Sequence, residues 1–245
     1  MAKSILIIGA TSAIARATAA AFAAQGHDLY LAGRNADELR RIAADLAIRY
    51  QVKTASGVFI AEALDSHAQF FTQAMHSMGE MAGVVFAVGY LGDQQAARDF
   101  SVGAEVILVN FTAAASILSH CASYLEARKQ GFIIGISSVA GDRGRQSNYT
   151  YGAAKGALSL YLQGLRNRLY ASQVRVITVK PGFVDTAMTY GMPGMFLLAS
   201  PQYLGEHIVQ ALAKSADVVY LPWFWRYIML IIKNIPESVF KRLKL

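Results

Sequence analysis

Short apolar, β-branched runs alternate with longer segments of helical periodicity along the whole chain. The runs lie near Ile5–Ile8, Asp28–Ala32, Val52–Val58, Gly83–Val88, Gly131–Ser137, Val174–Val179 and Val218–Leu221. Runs that lack an alternating polar position are expected where a strand is buried on both faces, as in a parallel sheet covered by helices. The segments between them predict helices, the longest from about Asn148 to Tyr170. The alternation predicts a single α/β domain built as a doubly wound parallel sheet, with its ligand crevice at the carboxyl ends of the strands. At 245 residues the chain suits one such domain. No internal repeat, low-complexity linker or domain boundary divides residues 1–221. Residues 222–245 read as an apolar and basic C-terminal tail of amphipathic helical character.

Chemistry enters at four places. The first run leads into Gly9-Ala10-Thr11-Ser12-Ala13-Ile14-Ala15 and an alanine-rich stretch ending at Gln25-Gly26. A strand, a tight turn and a helix aim backbone N–H groups and a helix N-terminus at a pyrophosphate. Tyr151 and Lys155, four apart on the long predicted helix, share one face. An ammonium beside a phenol favours the phenolate, so the pair can exchange a proton with a substrate. Ser137 and Ser138 end the fifth run, thirteen to fourteen residues before Tyr151, and Asn110 lies in Val109-Asn110-Phe111.

These elements, in this order from about Lys3 to Leu221, resemble the short-chain dehydrogenase/reductase family, and the resemblance implies a Rossmann fold. Its Thr-Gly-x-x-x-Gly-x-Gly motif appears as Ile8 to Ala15 with only the first glycine kept, and Phe86-Ala87-Val88-Gly89 replaces its Asn-Asn-Ala-Gly. Ala15 suits a position of close helix packing, whereas Ala13 brings a methyl where backbone approaches phosphate. The resemblance implies a catalytic set of Asn110, Ser138, Tyr151 and Lys155, with the thirteen-residue spacing selecting Ser138 over Ser137. It places the cofactor against Gly9, Thr11, Ser12, Ala13, Ile14, Arg34, Asn35, Glu62, Ala63, Gly89, Tyr151, Lys155, Pro181, Gly182 and Thr186. Lys155 is expected to lower the Tyr151 pKa and hold the nicotinamide ribose, Asn110 to hold a water behind the lysine, and Glu62-Ala63 to contact adenine.

The second run ends in Leu31-Ala32-Gly33-Arg34-Asn35, without the carboxylate that usually receives the ribose hydroxyls of NAD. Arg34 can pair with a 2′-phosphate, which favours NADP(H) over NAD(H). The implied reaction is hydride transfer between the nicotinamide and a carbonyl carbon. The alternative from another class is an NADPH-binding sensor or scaffold without turnover.

Two regions bear on the substrate. Residues 186–200 occupy the family's substrate lid, and Met188, Met192, Met195, Phe196, Leu197 and Leu198 make it apolar and adaptable. The tail carries both tryptophans and, from Arg226 on, a basic excess, with Arg226, Lys233, Glu237, Lys241 and Lys244 spaced to share a polar stripe that Pro236 interrupts. It is too short and too interrupted to span a bilayer, which takes about 20 predominantly apolar residues. An interfacial helix pair on anionic lipid is one expectation, and packing against a second subunit in a homodimer or homotetramer is the other. Ile7 to Ala15, Phe86 to Gly89 and Pro222-Trp223-Phe224-Trp225-Arg226 resemble a bacterial subgroup that reduces a keto sugar carried on polyprenyl phosphate. That reading implies a lipid-linked ketone and a partner oxidase; 3-oxoacyl and hydroxysteroid-type ketones are the alternatives.

Composition narrows the rest. The single cysteine, Cys121, excludes a disulfide framework, and the five histidines show no metal-ligand spacing, so no metal is expected. The histidines are expected at the surface or at helix ends. The net charge of +7 suits an acidic surface as partner, while scattered basic residues without a recognition motif argue against nucleic acid. No charged-then-apolar leader opens the sequence, and a cytoplasmic location is expected, peripheral on the inner face of the membrane if the tail binds lipid.

Overall fold

The computed structural model describes residues 4–191, 197–214 and 216–243. Seven strands form one sheet: β1 (Ser4–Ile8), β2 (Asp28–Gly33), β3 (Thr54–Val58), β4 (Met81–Phe86), β5 (Gly131–Ile136), β6 (Val174–Pro181) and β7 (Val218–Leu221). Their order is β3-β2-β1-β4-β5-β6-β7, and every pairing is parallel. The order reverses between β1 and β4, so the crevice opens where Ile8 pairs with Ala32 on one side and Phe86 on the other.

Helices cover both faces. One face carries α1 (Ala13–Ala24), α2 (Ala36–Tyr50) and α7 (Pro201–Ala213); the other carries α3 (His67–Met78), α4 (Phe100–Ile107), α5 (Ala113–Arg128) and α6 (Tyr149–Leu169). The alanine-rich face of α1 has a packing purpose. A Cβ on Gly205 of α7 would lie 2.4 Å from the Ala17 carbonyl carbon, so the two backbones abut and admit no larger side chain. Phe100–Arg128 is long and apolar enough to cross a membrane, but Ala113, Ala114, Ile117, Leu118, Cys121 and Leu125 within it are buried in the core under the sheet. Burial also pushes the Cys121 thiol up to about 12, which leaves it an inert packing group.

After β7 the chain forms α8 (Trp225–Asn234) and α9 (Glu237–Phe240), divided at Pro236 as its missing N–H and fixed φ require. Trp225 and Met229 are buried against Val139, with Phe183, Tyr220, Phe224, Ile228 and Ile232 packed around them. One face of the tail is thereby part of the domain and lies behind the loops at the carboxyl ends of β5 and β6.

Candidate active site

The turn after β1 is built around Gly9. Its φ of +87° belongs to glycine, and a Cβ there would lie 2.8 Å from Ala87 C and O and from Val88 N. The Gly9 and Ala10 N–H groups both donate to Ala32 O, at 2.8 and 2.9 Å, which locks the turn to the neighbouring strand. Ser12 caps α1, its Oγ accepting from Ala15 N at 3.3 Å.

A cleft beside this turn is lined by Gly9, Thr11, Ser12, Arg34, Glu62 and Gly89 from the expected cofactor set, together with Phe59, Ala61, Tyr90 and Glu105. Arg34 is exposed and lies 3.8 Å from Glu62, whose Oε2 is buried without a hydrogen-bond partner. Ala13, Ile14, Asn35, Ala63 and Thr186 of the expected cofactor set do not line this cleft. Ala13, the first residue of α1, borders a groove between α1, α2 and α7. Ile14 packs on the core, and Asn35 caps α2, its Oδ1 accepting from Glu38 N at 3.0 Å. Ala63 heads the short 3-10 turn Leu64–Ser66, outside the cleft lining. Thr186 bonds within its own turn to Thr189 at 3.2 Å.

His67 sits at a helix end, as expected, but it is not exposed. It is fully buried at the start of α3, stacks on Phe59 at 4.6 Å, and lies 3.1 Å from Ile60 O and 2.9 Å from Ser116 Oγ. Desolvation lowers its pKa, so it stays neutral and fixes the loop that lines the cleft.

On the other side of Gly89 lie the candidate catalytic groups. Tyr151 and Lys155 are both buried on α6, and the Ser138 hydroxyl lies near enough to the Tyr151 phenol to oppose the effect of its burial. Ser137 has a different job: its Oγ donates to Lys155 O at 2.9 Å and meets Ser159 Oγ at 2.7 Å, tying β5 to α6. Lys155 Nζ donates to Val88 O and Ile136 O, both at 3.2 Å, and sits 5.8 Å from the Tyr151 ring centroid. Asn110 lies in a π-helical turn, Leu108–Thr112, that interrupts the α4–α5 helix. Its amide donates to Tyr90 O (2.6 Å) and Val106 O (2.8 Å) and accepts from Tyr90 N (3.2 Å), so it rivets the loop after β4 to that helix.

The electrostatics correct one expectation. Burial raises Tyr151 to about 12, with the nearby Ser138 hydroxyl opposing, and burial lowers Lys155 to about 7. Desolvation acts against the charged form of each and outweighs the help that an ammonium gives a phenolate here. Tyr151 is therefore held as a protonated acid, and Lys155 titrates near neutrality.

Three features of this site were missed from the sequence. Gly152 and Gly156 on α6 face Gly141: a Cβ on Gly141 would lie 2.6 Å from Gly156 N, and one on Gly152 would lie 2.9 Å from Ala140 O. The loop carrying Ser138 thus rests directly on the α6 backbone beside Tyr151. The Gly-x-x-x-Gly spacing in a helix was the available signal. The second feature is Trp225, which lies so close above Gly182 that a Cβ would fall 1.9 Å from its indole nitrogen. The third is Arg143. Its guanidinium donates to Ile232 O, Lys233 O and Ile235 O at 3.1, 2.9 and 2.7 Å, pairs with Glu237 at 2.8 Å, and lies 4.0 Å from the Phe240 ring centroid. It caps the carbonyl end of α8 from the loop between Ser138 and Tyr151. Asp142 next to it accepts from Tyr220 Oη at 2.6 Å and pairs with Lys180.

A nucleotide-binding turn meeting a tyrosine, lysine and serine at the carboxyl edge of a parallel sheet defines a dinucleotide-dependent oxidoreductase site. The family model described as short chain dehydrogenase matches residues 3–193, and the chain belongs to that family. Its cofactor is accordingly a nicotinamide nucleotide, NAD(P)(H). An uncharacterized oxidoreductase of Mycobacterium tuberculosis is 32% identical over 243 residues, covering 99% of this chain and 97% of the relative. One from Streptomyces coelicolor is 32% identical over 248 residues, with 98% and 96% covered. Among solved structures, a short-chain dehydrogenase of Sphingobium yanoikuyae in complex with NADPH superposes with a TM-score of 0.81 at 22% identity, covering 96% and 97% of the two chains. A short-chain type dehydrogenase/reductase of Mycobacterium ulcerans gives 0.80 at 19%, with 98% of each covered.

Proposed function

We propose that this protein reduces an apolar ketone to a secondary alcohol with NADPH as hydride donor. The observation that carries the reading is the burial of Tyr151 and Lys155 together on α6 beside Ser138, with Lys155 fixed by Val88 O and Ile136 O and 5.8 Å from the Tyr151 ring centroid. NADPH, when bound, supplies the hydride. As the carbonyl carbon accepts it, the oxygen gains the electron pair and becomes an alkoxide. Ser138 hydrogen-bonds that oxygen and Tyr151 protonates it, leaving a phenolate. Lys155 in its charged form stabilises the phenolate, and an anionic nucleotide nearby favours that form. Asn110 holds the loop after β4 and hence Val88, one of the two carbonyls that fix Lys155.

The residues present fit the nucleotide. Gly9 leaves backbone open where a Cβ would clash, and the orphaned Glu62 Oε2 is an acceptor for an exocyclic amine. The preference for NADPH rests on Arg34. The acidic residues of the first turn of α2 are already paired, Asp37 with Arg40 and Glu38 with Arg16, while Arg34 is held only loosely by Glu62 and presents its guanidinium to solvent. A 2′-phosphate would meet an exposed, loosely paired cation there.

For the substrate, Met188 comes near Gly89: a Cβ there would lie 3.6 Å from its Cε, and Leu197 and Leu198 at the far end of the lid are exposed. Met192, Met195 and Phe196 of the expected lid lie outside the described residues. A ketone on a lipid carrier fits this apolar covering, and a polyprenyl-phosphate-linked keto sugar, as for the reductase half of decaprenylphosphoryl-ribose 2-epimerase that the sequence resembles, is the first candidate. The test is NADPH oxidation with a panel of polyprenyl-linked keto sugar, 3-oxoacyl and steroid ketones. Consumption with one class that disappears in Tyr151→Phe is expected; NADPH binding without turnover on any would favour the sensor reading.

A further inference from the structure

The tail carries apolar side chains on two faces, and only one is used. On α8, Trp225, Ile228, Met229 and Ile232 point into the domain. On the opposite side Tyr227, Leu230 and Ile231 are 57%, 59% and 68% exposed, and Trp223, 67% exposed, packs edge-on to Tyr227 at 6.0 Å. A soluble monomer seldom leaves such a set contiguous without a partner. The exposed end of the lid is tied to the same helix through Phe183. Leu197 and Leu198 precede Ala199, whose N–H donates to Phe183 O at 3.0 Å, and the Phe183 ring packs on Trp225 at 5.3 Å.

The charges around the patch select the partner. Arg226, Lys233, Lys241 and Arg242 are exposed, and among the described residues none of them is in an ion pair. At a helical rotation of about 100° per residue, Arg226 and Lys233 fall together on one flank of the outer face. The acid of the segment, Glu237, is already taken by Arg143. A second copy of the chain docking through this face would oppose cation to cation. An anionic surface with an apolar interior satisfies both halves of the patch, with the aromatic residues at the headgroup boundary and the basic side chains reaching its phosphates.

We infer that the outer face of α8, with Trp223 and the end of the lid, docks the protein on an anionic lipid bilayer. The inner face of the same helix rests on Gly182, Phe183 and Val139, so docking sets the loops of the active site against the lipid surface. A ketone on a lipid anchor can then enter without leaving the membrane. This consequence rests on the proposed reductase function; the docking itself does not.

Flotation with phosphatidylglycerol-containing and pure phosphatidylcholine vesicles tests the inference on the full chain, alongside Leu230→Glu/Ile231→Glu and light scattering in solution. Wild type is expected to float with the anionic vesicles, less so as salt rises, and the double variant to lose about tenfold or more of that partition. NADPH binding and mass should be unchanged, which shows the variant folded. Three results would overturn the inference: no flotation of wild type at low salt, equal flotation of both proteins, or an oligomer that the double variant dissociates. The last would assign the face to a second copy. Vesicle binding is read without turnover, so its failure leaves the reductase reading standing, and binding without hydride transfer would remove only that reading.

Discussion

The catalytic corner and the C-terminal tail meet across Gly182, yet they were unequally legible in the sequence. Tyr151 and Lys155 are four residues apart on one helix, and helical geometry alone puts them on one face. In the tail, the same geometry is ambiguous. Apolar residues occupy positions all round α8, and which of them face the domain depends on Val139, Phe183 and Gly182, contributed by distant strands. Local spacing carries a site when one element holds it; a docked helix is defined by what it docks on.

The comparison can be broken most severely at the acid. Tyr151→Phe keeps the ring and its packing but removes the proton, so turnover should fall roughly 100- to 10,000-fold while NADPH affinity holds. Steady-state rates beside a fluorescence titration check this. Near-normal turnover would show that proton transfer runs elsewhere.

Next in size is the clasp between the two regions. Arg143→Ala deprives two α8 carbonyls and that of Ile235 just beyond it of a charged donor, which should cost about 1.5–3 kcal/mol of stability. Calorimetry would show the lower Tm, and a loosened Trp225 over Gly182 should lower kcat as well. Arg143→Lys should recover little, since one ammonium cannot reproduce the fork that reaches several carbonyls at once. Loss of stability with kcat unchanged would separate the tail from catalysis.

Arg34→Ala sharpens the nucleotide end. Losing one charge-assisted contact to a 2′-phosphate should raise the Kd for NADPH about 10- to 100-fold and leave that for NADH unchanged. Equal losses for both would make Arg34 a general contact.

The pH profile of stability tests burial of the lysine. Lys155 is depressed to about 7 in the fold against an ordinary 10.5, so between those values the unfolded chain binds more protons. Stability from this group therefore rises as pH increases from about 7 towards 10.5. That rise should be missing in Lys155→Met, as followed by denaturant midpoint against pH. The smallest effect is expected from Glu237→Gln. Glu237 is 77% exposed, and its pair with Arg143 should contribute less than about 1 kcal/mol, leaving the carbonyls and Phe240 to hold the tail.

The parallel sheet was readable because strands buried on both faces lose their polar alternation, and all seven runs became strands with ends shifted by a few residues. At the nucleotide end, Gly9 was readable because its turn needs a positive φ, which glycine adopts without strain. Asn35 has a second role that spacing did not show: its Oδ1 caps α2 by accepting from Glu38 N. The titration of Tyr151 and Lys155 was misjudged: their proximity is local, whereas the depth that desolvates them comes from the whole fold. Arg143 left no trace in its neighbourhood, since every group it holds lies about ninety residues away.

The central claim is that this corner of the molecule reduces a ketone through Tyr151, and the fate of the hydride tests it most directly. NADPH deuterated at the transferable position of C4 would be incubated with each ketone class, and the alcohol examined by mass spectrometry. The account predicts deuterium on the carbinol carbon with wild type and almost none in the same time with Tyr151→Phe. Deuterium transfer at equal rates by both proteins, or none from wild type to any ketone despite tight NADPH binding, would contradict it.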